Sequence, residues 1–220
     1  MLFERLVVHD DGARESAALN MAIDEALFEQ ATVPTLRFYS WREPALSFGY
    51  FGKFADVRME TEQRDVVRRW TGGGIVPHGD DLTYSLVTPA IDPTSSLGPN
   101  AVYAALHRAI CDTLRECGFD AEMADGTSPK ISEACFANPV RHDAMLSGRK
   151  IAGAAQRRTR RGYLHQGSIQ ISNLPASFRA GFASRLAHQI EWLQIPPAIN
   201  LRAVQLVAEK YGTAEWLRLY

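Results

Sequence analysis

The chain reads as a globular protein of mixed α and β structure, and three features of the sequence carry that reading. Short runs rich in Val, Leu, Phe and Tyr alternate at the two-residue period of strands. Other stretches repeat their apolar residues at helical spacing. With 220 residues, 46% hydrophobic and 22% charged, the chain has the size of one large domain or two small ones and can bury an ordinary core.

Leu6-Val7-Val8 reads as a first strand, and Ser16 as the cap of a helix whose stripe is Leu19, Ala22, Ile23, Ala26 and Leu27. Asn20, Asp24 and Glu25 are expected off that stripe. Thr35 to Trp41 alternates like a half-buried strand, Pro44 interrupts, and Ala45 to Gly49 resumes the pattern. A short polar helix from Arg58 to Arg64 leads to the strand at Asp65-Val66-Val67, and Leu82 to Val87 forms another. After a Pro-rich loop, Pro99 opens a helix that carries Val102, Leu106, Ile110 and Leu114 on one face and stops at Gly118. Ser147-Gly148-Arg149 reads as a tight turn between two strands, the second beginning at Lys150. Tyr163 to Ile171 is a further strand, and beyond Pro175 the chain reads as helical.

Composition excludes several classes of function. A net charge of −1 argues against a nucleic-acid binder, although Arg157, Arg158, Arg160 and Arg161 form one basic patch suited to an acidic partner. No apolar stretch approaches the ~18 residues of a membrane helix, and the start Met1-Leu2-Phe3-Glu4-Arg5 lacks an export signal. Cys111, Cys117 and Cys135 are odd in number and form no Cys-x-x-Cys pair, so no metal site and no disulfide framework is expected. A reducing cytoplasm is the expected location.

Two stretches carry chemistry. The first, Arg68-Arg69-Trp70-Thr71-Gly72-Gly73-Gly74, leads on to His78. Three residues without a Cβ let a ligand approach the backbone amides, and the arginines with His78 suit an anion or a polarised carbonyl. A purely structural turn is the equal alternative, since neither a P-loop nor a Gly-x-Gly-x-x-Gly pattern is present. The second stretch surrounds Lys150. Its small neighbours Ile151, Ala152, Gly153, Ala154 and Ala155 leave room for a slim acyl chain, while the plainer reading is a solvated turn lysine.

Taken together, Arg68 to Gly74 with His78, Gly148 to Arg158, and Leu164-His165-Gln166-Gly167-Ser168-Ile169 resemble the lipoate-protein ligase and octanoyltransferase family. Asn20 to Ala26 resembles its opening helix, so the resemblance runs over roughly residues 16 to 171. It implies an α+β fold over 1–220 as one catalytic domain, with a mixed, mostly antiparallel sheet flanked by helices, similar to the biotin ligase catalytic domain. It also implies that Arg69, Thr71, Gly72, Gly73, Gly74, His78, Gly153, Ala154 and His165 bind substrate. Lys150 falls where the family's lysine touches the acyl carbonyl.

Cys135-Phe136 precedes the Lys150 turn at a spacing similar to that of the cysteine nucleophile in the ligase-like octanoyltransferases. A thiolate turns one thioester into another, so the acyl group stays activated without ATP. The resemblance therefore implies octanoyl or lipoyl transfer through Cys135 and Lys150, from acyl carrier protein to lipoyl domains of 2-oxoacid dehydrogenases or the glycine cleavage H protein. No cofactor, nucleic acid or membrane is expected to take part. The alternatives are a lipoate ligase that uses ATP and Mg²⁺ to make lipoyl-adenylate, and a non-catalytic module that binds lipoyl domains.

Overall fold

The computed structural model describes residues 1–126, 136 and 139–220. The chain runs β1 (Phe3–Glu15), α1 (Ala17–Gln30), β2 (Thr35–Trp41) and β3 (Ala45–Phe48). Two 3₁₀ turns, the second replacing the expected helix at Arg58–Glu62, lead to β4 (Asp65–Arg68), β5 (Val76–His78) and β6 (Leu82–Pro89). Next come α2 (Pro99–Glu116), β7 (Ala121–Met123), β8 (Ala144–Leu146), β9 (Arg149–Thr159) and β10 (Gly162–Ile169). The last part is α3 (Ser177–Leu186), β11 (Ala187–Trp192), α4 (Pro197–Leu206), a π turn at Val207–Tyr211 and α5 (Ala214–Leu217).

Among the described residues the larger sheet has eight strands in the order β11-β1-β2-β6-β10-β9-β8-β7, and the smaller has the order β4-β3-β5. In the larger sheet β1 runs parallel to β11 and β2, and every pair from β2 to β7 is antiparallel. The fold is therefore α+β with a mixed, mostly antiparallel sheet, as expected. Helices cover both of its faces. Leu36 and Phe38 of β2 join the α2 and α3 side, with Leu106, Ile110, Phe178 and Phe182. Tyr39 and Trp41 join the α1 and α4 side, with Met21, Ile23, Leu27 and Ile199.

This double cover corrects two expectations. Strand β2 is buried at six of its seven positions rather than on one face, because its second face packs under α1. Likewise Asn20, Asp24 and Glu25 are buried, although they stand off the apolar stripe of α1. A charge can be buried only with a partner. Arg37 on β2 meets Asp24 at 2.9 Å with both side chains fully buried, and Lys210 meets Glu25 at 2.6 Å. A third departure is β11, an exposed edge strand within the segment expected to be helical. Its Ala187-His188-Gln189-Ile190-Glu191-Trp192 carries too few apolar residues to mark a strand by pattern.

Local signals account for the element ends. Ser16 caps α1, its Oγ accepting from the Leu19 amide at 3.3 Å, and Pro99 sits in the first turn of α2, where its missing N–H costs nothing. Ser147 and Gly148 take φ of 49° and 74°, the paired positive values that a two-residue hairpin turn between β8 and β9 requires. Among the described residues no helix is long and apolar enough to cross a membrane.

Candidate active site

Strand β10 distributes the chemistry by its two-residue period. Leu164, Gln166 and Ser168 face α1, whereas Tyr163, His165 and Ile169 face α2. On the α1 side a narrow cavity opens. Met21, Tyr39 and Trp41 line it from α1 and β2, and Gly153, Ala154 and Ala155 of β9 form a side-chain-poor wall. Arg69, Gly73 and His78 line it too, joined by Gln166, Gly167 and Ser168 of the family motif and by Ser47, Val76 and Thr83, which sequence reasoning did not single out.

At one end a chain of polar groups is fully committed. The Arg69 guanidinium donates to Ser47 Oγ at 2.7 Å, and Ser47 Oγ lies 2.7 Å from His78 Nε2. His78 Nδ1 lies 2.8 Å from Asp81 Oδ2. Asp81 also accepts from Thr83 and Ser168 hydroxyls, at 2.8 and 2.7 Å, and from the Gly79 amide at 3.0 Å. The Asp81 carboxylate can only accept, which assigns the His78 proton to Nδ1 and leaves Nε2 to accept the hydrogen bond of the Ser47 hydroxyl. Burial lowers the pKa of His78 and outweighs the hydrogen bond and charge of Asp81 that would raise it. Burial would raise Asp81, yet its hydrogen bonds from His78, Ser168 and Gly79 hold it below the usual carboxylate value. The result is a neutral imidazole stacked on Trp41, ring centres 4.0 Å apart, in the wall of an otherwise mostly apolar cavity.

The glycine stretch meets both the cavity and neighbouring backbone. Gly73 takes φ of +91° and lines the cavity, while a Cβ on Gly49 would lie 2.0 Å from the Gly73 carbonyl oxygen. Backbone packs there on backbone, which only glycine allows. The neighbouring arginines do not present a free anion site. Arg68, fully buried, donates to the carbonyls of Tyr50 and Gly52, both at 2.6 Å, and of Trp216 and Leu217 at 2.9 and 3.0 Å. It ties the loop after β3 to the C-terminal turns. Arg69, besides Ser47, donates to the Gly72 and Gly74 carbonyls at 3.0 and 2.8 Å. The expectation that this arginine pair marks a negatively charged ligand is thereby corrected for Arg68, whose donors close the loop instead. Thr71 is buried and donates to Gln166 Oε1 at 2.8 Å, and Gly72 and Gly74 flank Gly73 without lining the cavity.

Lys150 is not the solvated turn residue of the plainer reading. Its ammonium lies 2.9 Å from Asp143 Oδ2, with the two side chains 4% and 0% exposed. It stands outside the lining of the cavity, near the Phe136 ring, whose centre is 5.7 Å from Nζ. Cys135 lies outside the described residues. His165 is fully buried on the α2 side of β10, opposite the cavity, within 3.3 Å of Tyr84 Oη and 3.0 Å of Gln156 Nε2. Cys111 is buried, and burial pushes its thiol up to about 11, which makes it a poor nucleophile. Among the described residues no three His, Cys, Asp or Glu converge as metal ligands.

The two histidines on the α2 side set a pH limit on stability. Burial lowers His107 to about 4 and His165 to about 3, so both stay neutral in the fold while the unfolded chain protonates near 6.5. Their contribution is complete above about pH 6.5 and is lost as pH falls toward those folded values. At pH 5 the loss is expected to be on the order of 3 kcal/mol for the pair. Urea midpoints at pH 7 and pH 5 measure it, and equal midpoints would contradict the assignment of two neutral buried imidazoles.

Residues 16–189 match the lipoyl protein ligase A/B catalytic domain. The chain is 37% identical to the octanoyltransferase LipM of Anoxybacillus flavithermus, over 72% of this chain and 63% of that protein, and so spans less than two thirds of that relative's length. It is 30% identical to the octanoyltransferase LipM of Halalkalibacterium halodurans, over 94% of this chain and 96% of that protein. In fold it is similar to a lipoate-protein ligase A bound with ATP, with a TM-score of 0.73 at 23% identity over 99% of both chains. It is similar again to the bipartite lipoate protein ligase of Thermoplasma acidophilum, with a TM-score of 0.75 at 20% identity over 100% of this chain and 98% of the other. With its mostly antiparallel sheet, its glycine loop beside a narrow cavity and this match over most of its length, the chain belongs to the lipoyl protein ligase A/B catalytic domain family.

Proposed function

We propose that this protein is an acyltransferase of protein lipoylation, moving an octanoyl or lipoyl group from a carrier-protein thioester to the target lysine of a lipoyl domain. On this reading the Cys135 thiolate attacks the thioester carbonyl while the Lys150 ammonium and the amides near Gly73 and Gly74 stabilise the oxyanion. The carrier's thiol leaves. The lipoyl-domain amine then attacks the acyl-enzyme, forming the amide and returning the Cys135 thiol. The acyl carrier protein and the lipoyl domains of 2-oxoacid dehydrogenases or the glycine cleavage H protein are the proposed partners.

The observation that carries this reading is Phe136. It follows Cys135 directly in the chain, and its ring lies 5.7 Å from the Lys150 ammonium. The curated relatives named octanoyltransferase support the same activity. Transfer needs no nucleotide, and the commitment of the Arg68 and Arg69 donors to carbonyls near the glycine loop is consistent with that. Incubation with octanoyl carrier protein and a lipoyl domain, without ATP, is expected to give an octanoylated lysine. Modification that requires free lipoate, ATP and Mg²⁺ would instead establish the ligase reading, and binding of the lipoyl domain without turnover would leave a non-catalytic module.

A further inference from the structure

We propose that Asp143 is a positioning residue for Lys150, a role that rests on the acyl-transfer reading above. The carboxylate is fixed by two donors from separate parts of the chain. The Tyr103 hydroxyl, on α2, donates to Oδ1, and the Val140 amide donates to Oδ2 at 2.7 Å. The Asp143 backbone is anchored as well, its N–H donating to Val140 O at 3.0 Å and its carbonyl accepting from the Ala124 amide at 2.8 Å. Lys150 then reaches this prearranged carboxylate at 2.9 Å. The register of β8 against β9 shifts between Ala144 and Met145, directly beside the pair, an irregularity of the kind that re-aims side chains.

A buried ion pair is weak evidence for stability, since an apolar pair of the same volume often does as well, so its presence here asks for another account. The carboxylate supplies what the proposed reaction needs: it engages one N–H of a group that carries three, which fixes the direction of the ammonium. Tyr103 serves the carboxylate, and His107 lies against Tyr103 with ring centres 4.0 Å apart and donates Nδ1–H to the His142 carbonyl at 3.0 Å. Burial keeps His107 neutral, at about 4, so that no second cation is added beside Lys150.

The test is the split between rate and KM for acyl-enzyme formation from octanoyl carrier protein in Asp143→Asn. The rate at pH 7 is expected to fall on the order of 10²-fold with KM nearly unchanged, because the ammonium is misplaced rather than the substrate site altered. Asp143→Glu, which keeps the carboxylate, is expected to recover most of the rate. A folded Asp143→Asn protein with the wild-type rate overturns the proposal. If that variant does not fold, Tyr103→Phe keeps the charge and removes the hydroxyl's bond to the carboxylate; it is expected to lower kcat at constant KM, and a wild-type kcat overturns the proposal. Lys150→Ala separates the two levels. Full activity in that variant removes the acyl-transfer assignment of Lys150 together with this inference, whereas loss of activity beside a wild-type rate in Asp143→Asn removes this inference alone.

Discussion

Lys150→Ala is expected to slow octanoyl transfer by on the order of 10²–10³, the usual cost of removing one oxyanion contact. The Lys150 side chain is 4% exposed and bound to a fully buried carboxylate, so truncation also leaves Asp143 without its counter-charge. A loss of roughly 3–5 kcal/mol in stability is therefore expected alongside the rate effect. The two losses are separable, because rates measured at a temperature where the variant remains folded report the chemistry and urea midpoints report the fold. A folded variant with wild-type transfer rate would sink the assignment of Lys150 to the reacting carbonyl.

Asp24→Ala is expected to cost about 3–5 kcal/mol in stability, an effect that no surface charge of α1 would produce. Asp24 accepts four side-chain hydrogen bonds: from Arg37 and Tyr39 on β2 at 2.9 and 3.0 Å, from Ser85 on β6 at 2.7 Å, and from Gln166 on β10 at 2.7 Å. The carboxylate thus ties α1 to three strands of the large sheet. Without it the fully buried Arg37 guanidinium loses the Asp24 charge and keeps neutral acceptors in Asn20, its carbonyl and side-chain oxygens at 3.2 and 2.8 Å. Tyr39 and Gln166 also line the cavity, so the same change is expected to weaken binding of an octanoate analogue. Denaturation by urea measures the first effect and calorimetric titration the second; a shift within about 0.5 kcal/mol, the size usual for surface substitutions, would mean the network carries no weight.

Local signals in the sequence were legible where one residue type suffices for one geometry. Ser16 capped its helix, Ser147-Gly148 made its hairpin turn, and the glycine stretch fell between β4 and the strands that follow. Burial was not legible for α1 or β2, because a stripe of apolar residues marks one covered face and cannot announce a second. Asp24 and Arg37 look like solvent residues until the sheet pairs them. The same holds for Lys150, whose partner Asp143 lies across a turn. In the cavity, Gly153, Ala154 and His78 were found from the family resemblance, and Ser47 and Trp41 were missed. Those two are ordinary strand residues in sequence, brought to the cavity by the pairing of β3 with β5 and of β2 with β6. His165 carried the family motif yet sits on the other face of its strand, because neighbouring positions on β10 point to opposite sides.

The central claim, an acyl-enzyme on Cys135, is tested most directly by the intact mass of the protein after incubation with octanoyl carrier protein in the absence of ATP. One octanoyl mass is expected, removable by hydroxylamine as a thioester is and an amide is not. The Cys135→Ala protein is expected to take up none, and Cys111, whose burial holds its thiol up at about 11, is expected to stay unmodified in both. An unchanged mass in the wild-type protein, or an adduct that persists in Cys135→Ala, would contradict the account.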